Sequence, residues 1–171
     1  MQLINLRQRP AAIERIAAWH FAEWGALFPD RTLADFAAEL ALCLTDATLP
    51  QTWLLLDSTG EIVGTGSLLL HDMATNQELS PWLANIYLVP AVRGQGLGKW
   101  LVQQIMQQAA LLPIGTLYLF TEDQQAFYQR LGWQLHHREC YEGHWVSVMQ
   151  LALISVDDGA HPNPCETNPQ Y

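Results

Sequence analysis

A glycine-rich turn between a predicted strand and a predicted helix carries the residues best suited to bind a ligand. Arg93 is followed by Gly94, Gly96 and Gly98, and then by Lys99, the only lysine in the 171 residues. Glycine lets the backbone approach a ligand closely, and the unpaired N–H groups of a helix's first turn carry the positive end of its dipole. Together with the two cationic side chains, these groups predict a site for a phosphate.

Two common phosphate-binding motifs do not fit this turn. A Walker A loop needs Ser or Thr after its Gly-Lys pair and a glycine where Arg93 stands, but Gly98-Lys99 is followed by Trp100. A dinucleotide-binding fingerprint that starts at Gly94 needs Gly or Ala at the position of Lys99, and an acidic residue about 20 positions further on is also missing. The turn therefore argues against a nucleotide-binding or phosphoryl-transfer protein.

The turn does fit the pattern Arg/Gln-x-x-Gly-x-Gly/Ala, met by Arg93, Gly96 and Gly98. A second segment, 121–133, contains Phe127-Tyr128 and ends in Gly-Trp. These two segments, in this order and with a predicted strand between them, resemble the GNAT superfamily of acyl-CoA-dependent N-acetyltransferases. The close resemblance covers about residues 81–133, and before them only the order of the elements agrees.

The resemblance implies that the protein uses acetyl-CoA as co-substrate and no metal ion. In the family the loop backbone holds the pyrophosphate, and the preceding strand splays from its neighbour and pairs with the pantetheine arm. The implied cofactor-binding residues are Tyr87, Leu88, Val89, Arg93, Gly94, Gln95, Gly96, Leu97, Gly98 and Lys99.

Two catalytic roles are also implied by the resemblance. The backbone amide of Leu88 would stabilise the oxyanion, and Tyr128 would act as general acid that protonates the departing thiolate. A phenol with a pKa near 10 stays protonated at neutral pH, which suits this role.

The general base that would take a proton from the amine has no clear position in the sequence. Many relatives carry a glutamate on the splayed strand, whereas residues 81–89 contain no acid and Asn85 is their most polar residue. His71 is one candidate base. The other candidates for the acceptor site, the base among them, are Glu23, Trp24, Asp72, Glu78, Trp82, Asn85, Glu122 and Asp123. A tryptophan beside a carboxylate, as at Glu23-Trp24, suits a cationic amine. Each carboxylate could instead be a solvated surface group, and Asp123 could cap the helix of Tyr128.

The hydrophobic pattern predicts the elements that position these residues. Strands are predicted over 4–9, 52–56, 62–70, 81–89, 116–121, 133–141 and 144–154, and helices over 11–27, 33–44, 96–110 and 123–131. With the resemblance, this order implies an α+β (α/β), GNAT-like fold. Its central sheet would be mixed and mostly antiparallel, with about seven strands, a splayed fourth and fifth pair and about four flanking helices.

Composition narrows the function further. The 17 acidic and 8 basic residues give a formal net charge of −9, which argues against nucleic acid or an anionic membrane as partner and favours a cationic acceptor. Cys43, Cys140 and Cys165 are too scattered for a disulfide framework or a zinc site, and the N-terminus lacks a signal-peptide pattern, so we expect a cytoplasmic protein. One domain is predicted over 1–155, followed by a polar, Pro- and Asn-rich tail over 156–171.

Two functions of different classes are compatible with these features. The first is an N-acetyltransferase, a monomer or homodimer, that acts on a primary amine of a small molecule or peptide. The alternative is a catalytically silent acyl-CoA-binding module or sensor. The missing strand acid favours the sensor, and the presence of Tyr128 favours the enzyme.

Overall fold

The structure, a computed structural model, describes residues 1–153; the tail predicted over 156–171, with Cys165, lies outside the described residues. One sheet contains seven strands in the order β1-β2-β3-β4-β5-β7-β6. The strands are β1 Gln2–Asn5, β2 Gln51–Leu56, β3 Ile62–Leu69, β4 Trp82–Leu88, β5 Thr116–Thr121, β6 Gln134–Tyr141 and β7 His144–Ala152. All neighbouring strands are antiparallel except β4 and β5, which are parallel. The predicted mixed, mostly antiparallel fold is confirmed.

Four α-helices accompany the sheet within residues 1–153: α1 Ile13–Trp24, α2 Leu33–Leu42, α3 Leu97–Ala110 and α4 Gln125–Gln129. Thr32 caps α2, because its hydroxyl oxygen accepts from the Asp35 N–H while the Asp35 carboxylate accepts from the Thr32 N–H. The cap predicted at Asp123 is wrong. Gln124 is the N-cap of α4, and its N–H donates to Thr121 Oγ1 over 3.0 Å.

The N-terminal elements are shorter than predicted. The first strand ends at Asn5, because the Asn5 side chain accepts from the Arg7 N–H and starts a 3-10 turn. Helix α1 is likewise flanked by 3-10 turns at Pro10–Ala12 and Gly25–Leu27, which absorb the ends of the predicted helix.

Two hydrophobic cores cover the two faces of the sheet. On one face α3 packs through Leu101, Val102 and Ile105. This contact requires glycine at Gly66, where a Cβ atom would lie 2.2 Å from Ile105 Cδ1. On the other face α1 and α2 pack against β2 in a second core, which contains residues such as Ile16, Leu40 and Leu54. A third cluster surrounds Trp82 at the start of β4.

Strands β4 and β5 contact each other at one end only. Their single paired position is Trp82 with Tyr118, where the Tyr118 N–H donates to the Pro81 carbonyl over 3.0 Å. Beyond it β4 pairs only with β3, and β5 only with β7. The two strands therefore enclose a wedge-shaped gap that widens toward their C-terminal ends, and the predicted splayed pair is confirmed.

No helix among residues 1–153 combines the length and the apolar character needed to cross a bilayer.

Candidate active site

The edge of β4 that faces the gap carries free backbone groups. The Val89 N–H donates to the Val63 carbonyl over 2.9 Å, so that residue faces β3. The ladder pairs Leu88 with Gly64 and Tyr87 with Thr65. Because successive residues of an antiparallel strand point their backbone groups to opposite sides, Tyr87 also faces β3, while Leu88 points its N–H into the gap. Of the three predicted strand residues, only Leu88 presents its amide there.

The sequence did not single out Ile86, which presents a second amide to the gap. A β-bulge shifts the pairing of β4 with β3 between Ala84 and Tyr87. Asn85 and Ile86 therefore both lie opposite Gly66. Asn85 occupies the left-handed region with φ 55°. Ile86 is two residues before Leu88, on the same side of the strand. Backbone groups alternate in direction along a strand, and this alternation is the signal from which Ile86 could have been predicted.

The glycine-rich loop leads directly from β4 into α3. Gly94 and Gly96 have φ values of 75° and 79°, and a Cβ atom at either would meet nothing within 4 Å, so the loop surface is open. Among the described residues, no hydrogen-bond acceptor contacts the N–H groups of Gly94, Gln95 or Gly96. The first-turn amides of α3, from Leu97 to Lys99, also have no partner inside the helix. This row of N–H donors fits a pyrophosphate group.

Arg93 lies between the gap and α1. Its Nε donates to the Leu88 carbonyl over 2.8 Å, and one of its terminal nitrogens lies 3.5 Å from Glu23. Its guanidinium also stands 5.5 Å from the ring centre of Tyr87. The predicted cofactor residue Arg93 and the predicted acceptor residue Glu23 are thus brought into contact.

Tyr128 lies on the last turn of α4, packed by its ring against Phe127 and Trp133 at centroid distances of 5.0 and 6.0 Å. It also contacts the core on the α3 side of the sheet. Burial raises the pKa of the Tyr128 phenol to about 12, since desolvation disfavours the phenolate. The hydroxyl therefore keeps its proton throughout the physiological pH range.

Aromatic rings of α1 cover the other face of β4. Tyr87 stacks on Trp19 at 5.5 Å and meets Trp24 edge-on at 6.3 Å. The His20 ring lies 5.1 Å from that of Trp24 and is 2% exposed. With Glu23 on the same helix, this surface combines aromatic faces with one carboxylate, which is suited to a cationic or amphipathic amine.

The remaining predicted acceptor residues are scattered. Trp82 is fully buried, and its indole N–H donates to the Leu79 carbonyl, so it is a core residue rather than a wall of an open site. Glu122 is half-exposed and lies 3.7 Å from His144. Exposed side chains are found at Glu78, Asp123 and His71.

Asp72 has an unusual environment in the loop after β3. Burial raises the pKa of its carboxyl to about 7, the negative charge of Glu39 raises it further, and Arg31 opposes both effects. Arg31 and Glu39 form an ion pair at 2.7 Å. Asp72 follows the end of β3 that pairs with Trp82, at the opposite end of β4 from Leu88.

No group of three or more His, Cys, Asp or Glu side chains within the described part of the chain is arranged to hold a metal ion.

The sequence profile described as the acetyltransferase (GNAT) family matches residues 13–133. The chain belongs to the GNAT acetyltransferase family. The resemblance inferred from the loop and the Tyr128 segment is confirmed, and with it the general class of acyltransferase. No curated protein matches the sequence.

Solved GNAT structures share the fold. An aminoglycoside 6'-N-acetyltransferase in complex with coenzyme A has a TM-score of 0.70 at 15% identity, over 90% of this chain and 98% of that one. A phosphinothricin acetyltransferase from Sinorhizobium meliloti in complex with acetyl-CoA has a TM-score of 0.67 at 17% identity, over 94% and 95%. A spermidine N-acetyltransferase chimera from Vibrio cholerae and hSSAT has a TM-score of 0.66 at 14% identity, over 90% and 96%.

Proposed function

We propose that this GNAT protein transfers the acetyl group of acetyl-CoA to a primary amine of a small molecule or peptide. One observation carries the proposal. The edge of β4 that faces the gap at Ile86 and Leu88 is followed, after the turn of Pro90–Val92, by the amides of Gly94, Gln95 and Gly96, which have no partner among the described residues. An extended amide-containing arm that ends in a pyrophosphate matches this sequence of donors, and coenzyme A has both parts.

The cofactor would lie along the gap. The pantetheine amides would bond to the backbone of Leu88, and the loop amides, with the charges of Arg93 and Lys99, would hold the phosphates. The gap between β4 and β5 has room for such an arm because the two strands pair only at Trp82 and Tyr118. Coenzyme A and acetyl-CoA are bound in two of the GNAT structures that share this fold, which supports the assignment.

The chemistry would be direct attack. The amine nitrogen forms a bond to the thioester carbon, and a β4 amide that faces the gap, Leu88 as predicted or Ile86, donates to the oxyanion. When the carbon–sulfur bond breaks, the Tyr128 hydroxyl gives its proton to sulfur.

The acceptor would approach from the α1 face. Trp24, Tyr87 and Glu23 line this side of β4, where a cationic group on the acceptor can meet aromatic faces and a carboxylate. Two of the structures that share the fold are named as N-acetyltransferases of an aminoglycoside and of spermidine, which is consistent with an amine acceptor.

The position of Asn85 supports the alternative of a silent acyl-CoA sensor. Its side-chain amide donates to Ser67 Oγ over 3.2 Å and supplies no base at the bulge. The enzyme needs another group to take the amine proton, and Glu23 on the proposed acceptor surface is the predicted candidate for it.

The first experiment is calorimetry with acetyl-CoA, with ATP and NAD as controls. Selective binding of acetyl-CoA is expected, and its absence would refute the cofactor assignment. The second is release of free CoA thiol across a panel of aminoglycosides, polyamines, amino acid amides and short peptides. Binding of acetyl-CoA without thiol release on any amine would favour the sensor.

A further inference from the structure

A buried chain of hydrogen bonds crosses β2, β3 and β4 on the face covered by α1 and α2. Thr52 Oγ1 and Ser67 Oγ lie 2.8 Å apart, and Ser67 Oγ accepts from Asn85 Nδ2 over 3.2 Å. Beyond the bulge, Thr65 Oγ1 donates to the Asn85 carbonyl over 3.1 Å and lies 2.8 Å from His20 Nε2. One half of this hydrogen-bond chain thus holds the side chain of Asn85, and the other half holds its backbone carbonyl.

The direction of each proton in the second half of this chain is determined. A hydroxyl has one proton, and Thr65 gives it to the Asn85 carbonyl, so Thr65 must accept from His20. His20 is therefore the tautomer protonated on Nε2. Burial lowers the pKa of His20 to about 4, so the ring is neutral at pH 7 and carries its one proton on Nε2.

This arrangement fixes the orientation of one peptide group. In a planar trans peptide the C=O and N–H bonds point in opposite directions. The Asn85 carbonyl points to Thr65 on β3, so the Ile86 N–H points away from β3, into the gap. Asn85 also stands at φ 55°, a region that a residue other than glycine occupies at a cost and keeps only when its surroundings hold it there.

We propose that His20 and Thr65 are positioning residues. Together they hold the Asn85–Ile86 peptide group so that the Ile86 N–H donates to the thioester carbonyl of bound acetyl-CoA. This inference rests on the proposed function. It assigns His20 a role through Thr65 and the backbone, with no contact to the substrate.

The test compares two isosteric changes in the same hydrogen-bond chain. Thr65→Val removes the hydroxyl that holds the Asn85 carbonyl. Thr52→Val removes an equally buried hydroxyl at the other end, since both residues are 0% exposed. Acetyl-CoA labelled with ¹³C at the thioester carbonyl is bound to each protein, and the carbonyl resonance and the acetyl-CoA affinity are recorded.

We expect a downfield shift of the bound carbonyl in the wild-type protein, which persists in Thr52→Val and is lost in Thr65→Val. Acetyl-CoA affinity should change less than threefold in both variants. With any amine that the panel identifies, kcat should fall about tenfold to a hundredfold in Thr65→Val only, with KM unchanged, because one oxyanion donor is misdirected. Thr65→Ser should restore both the shift and kcat.

A second pair keeps the proposal testable if Thr65→Val does not fold. His20→Gln retains a side-chain donor and should keep more of the shift than His20→Leu. The same shift in Thr65→Val, or in His20→Leu, as in the wild type would overturn the positioning role alone. A wild-type protein that binds no labelled acetyl-CoA would overturn the proposed function and this inference with it.

Discussion

Arg93 Nε lies 2.8 Å from the carbonyl oxygen of Leu88 and donates a hydrogen bond to it. The residue predicted to contact phosphate is thus turned back onto the strand predicted to contact pantetheine. Its second contact, with Glu23 at 3.5 Å, connects both to α1. The cofactor loop, the gap strand and the proposed acceptor surface therefore meet at one side chain.

Replacement of Arg93 by glutamine should weaken acetyl-CoA binding about tenfold, or about 1.4 kcal/mol. The glutamine amide can still donate to the Leu88 carbonyl, but the positive charge beside the phosphates is lost. Calorimetry at two salt concentrations should show both the lower affinity and a weaker salt dependence. Arg15→Gln makes the same change outside the loop, where Arg15 pairs with Glu61 at 3.4 Å. Equal affinities of the two variants would contradict a phosphate contact for Arg93.

Tyr128→Phe should lower kcat by roughly a hundredfold with little change in acetyl-CoA affinity, because only the proton donor is lost. The pKa of about 12 predicts that the wild-type rate does not fall through ionisation of Tyr128 between pH 8 and 10. Tyr141→Phe is the matched control. Its hydroxyl accepts from the Ala74 N–H over 3.0 Å, so it should lose about 1 kcal/mol of stability and no activity. Steady-state kinetics of both variants is the measurement. An unchanged kcat in Tyr128→Phe would show that Tyr128 is not the proton donor.

Gly96→Asp should abolish acetyl-CoA binding, because a carboxylate would stand at the N-terminus of α3 where the phosphates are expected. Gly60→Asp is a close control, since Gly60 has φ 86° against 79° for Gly96 and neither Cβ would meet another atom within 4 Å. Both variants should lose about 1 kcal/mol of stability from the left-handed backbone. Thermal unfolding and calorimetry separate strain from binding: if Gly96→Asp is folded and still binds normally, the loop does not hold the cofactor.

His20 should make stability fall as the pH is lowered. Its pKa is about 4 in the folded protein and 6.5 in the unfolded chain, so between these values only the unfolded chain binds the proton. The contribution of His20 to the free energy of unfolding should therefore decrease by about 3 kcal/mol from pH 6.5 to pH 4. In His20→Gln this contribution is absent, so urea titrations should show that the stability difference between the wild type and the variant shrinks by about 3 kcal/mol from pH 6.5 to pH 4.

Asp72 contributes to the pH dependence of stability in the opposite direction from His20, and it provides the control for that experiment. Its carboxyl pKa is raised to about 7, so its contribution is present at low pH and is lost as the pH rises from about 4 to 7. Asp72→Asn should remove this loss and leave the acid destabilisation by His20 in place. Parallel profiles for the wild type and His20→Gln would show that His20 is not held neutral by burial.

The strand and helix order was predictable because each element carries its own local signal. The Thr32–Asp35 capping box, the four-residue repeat from Leu97 to Ala109 and the apolar run of β5 from Leu117 to Phe120 all depend on neighbours in sequence. Errors occurred where short turns replace element ends, as at Asn5 and Gly25. The cap expected at Asp123 is absent for a similar reason, because the hydroxyl of Thr121, two positions earlier, accepts from the Gln124 N–H.

The sequence by itself determined the family and predicted roles for the glycine-rich loop and Tyr128, because these motifs consist of residue types at fixed spacing along the chain. Only the tertiary structure decided which β4 amides face the gap, that Trp82 is buried, and that Arg93 contacts Glu23 of α1. It also decided that His20 reaches the Asn85 bulge through Thr65. These relationships join residues far apart in the chain, and they depend on strand register and helix packing, which local sequence patterns do not encode.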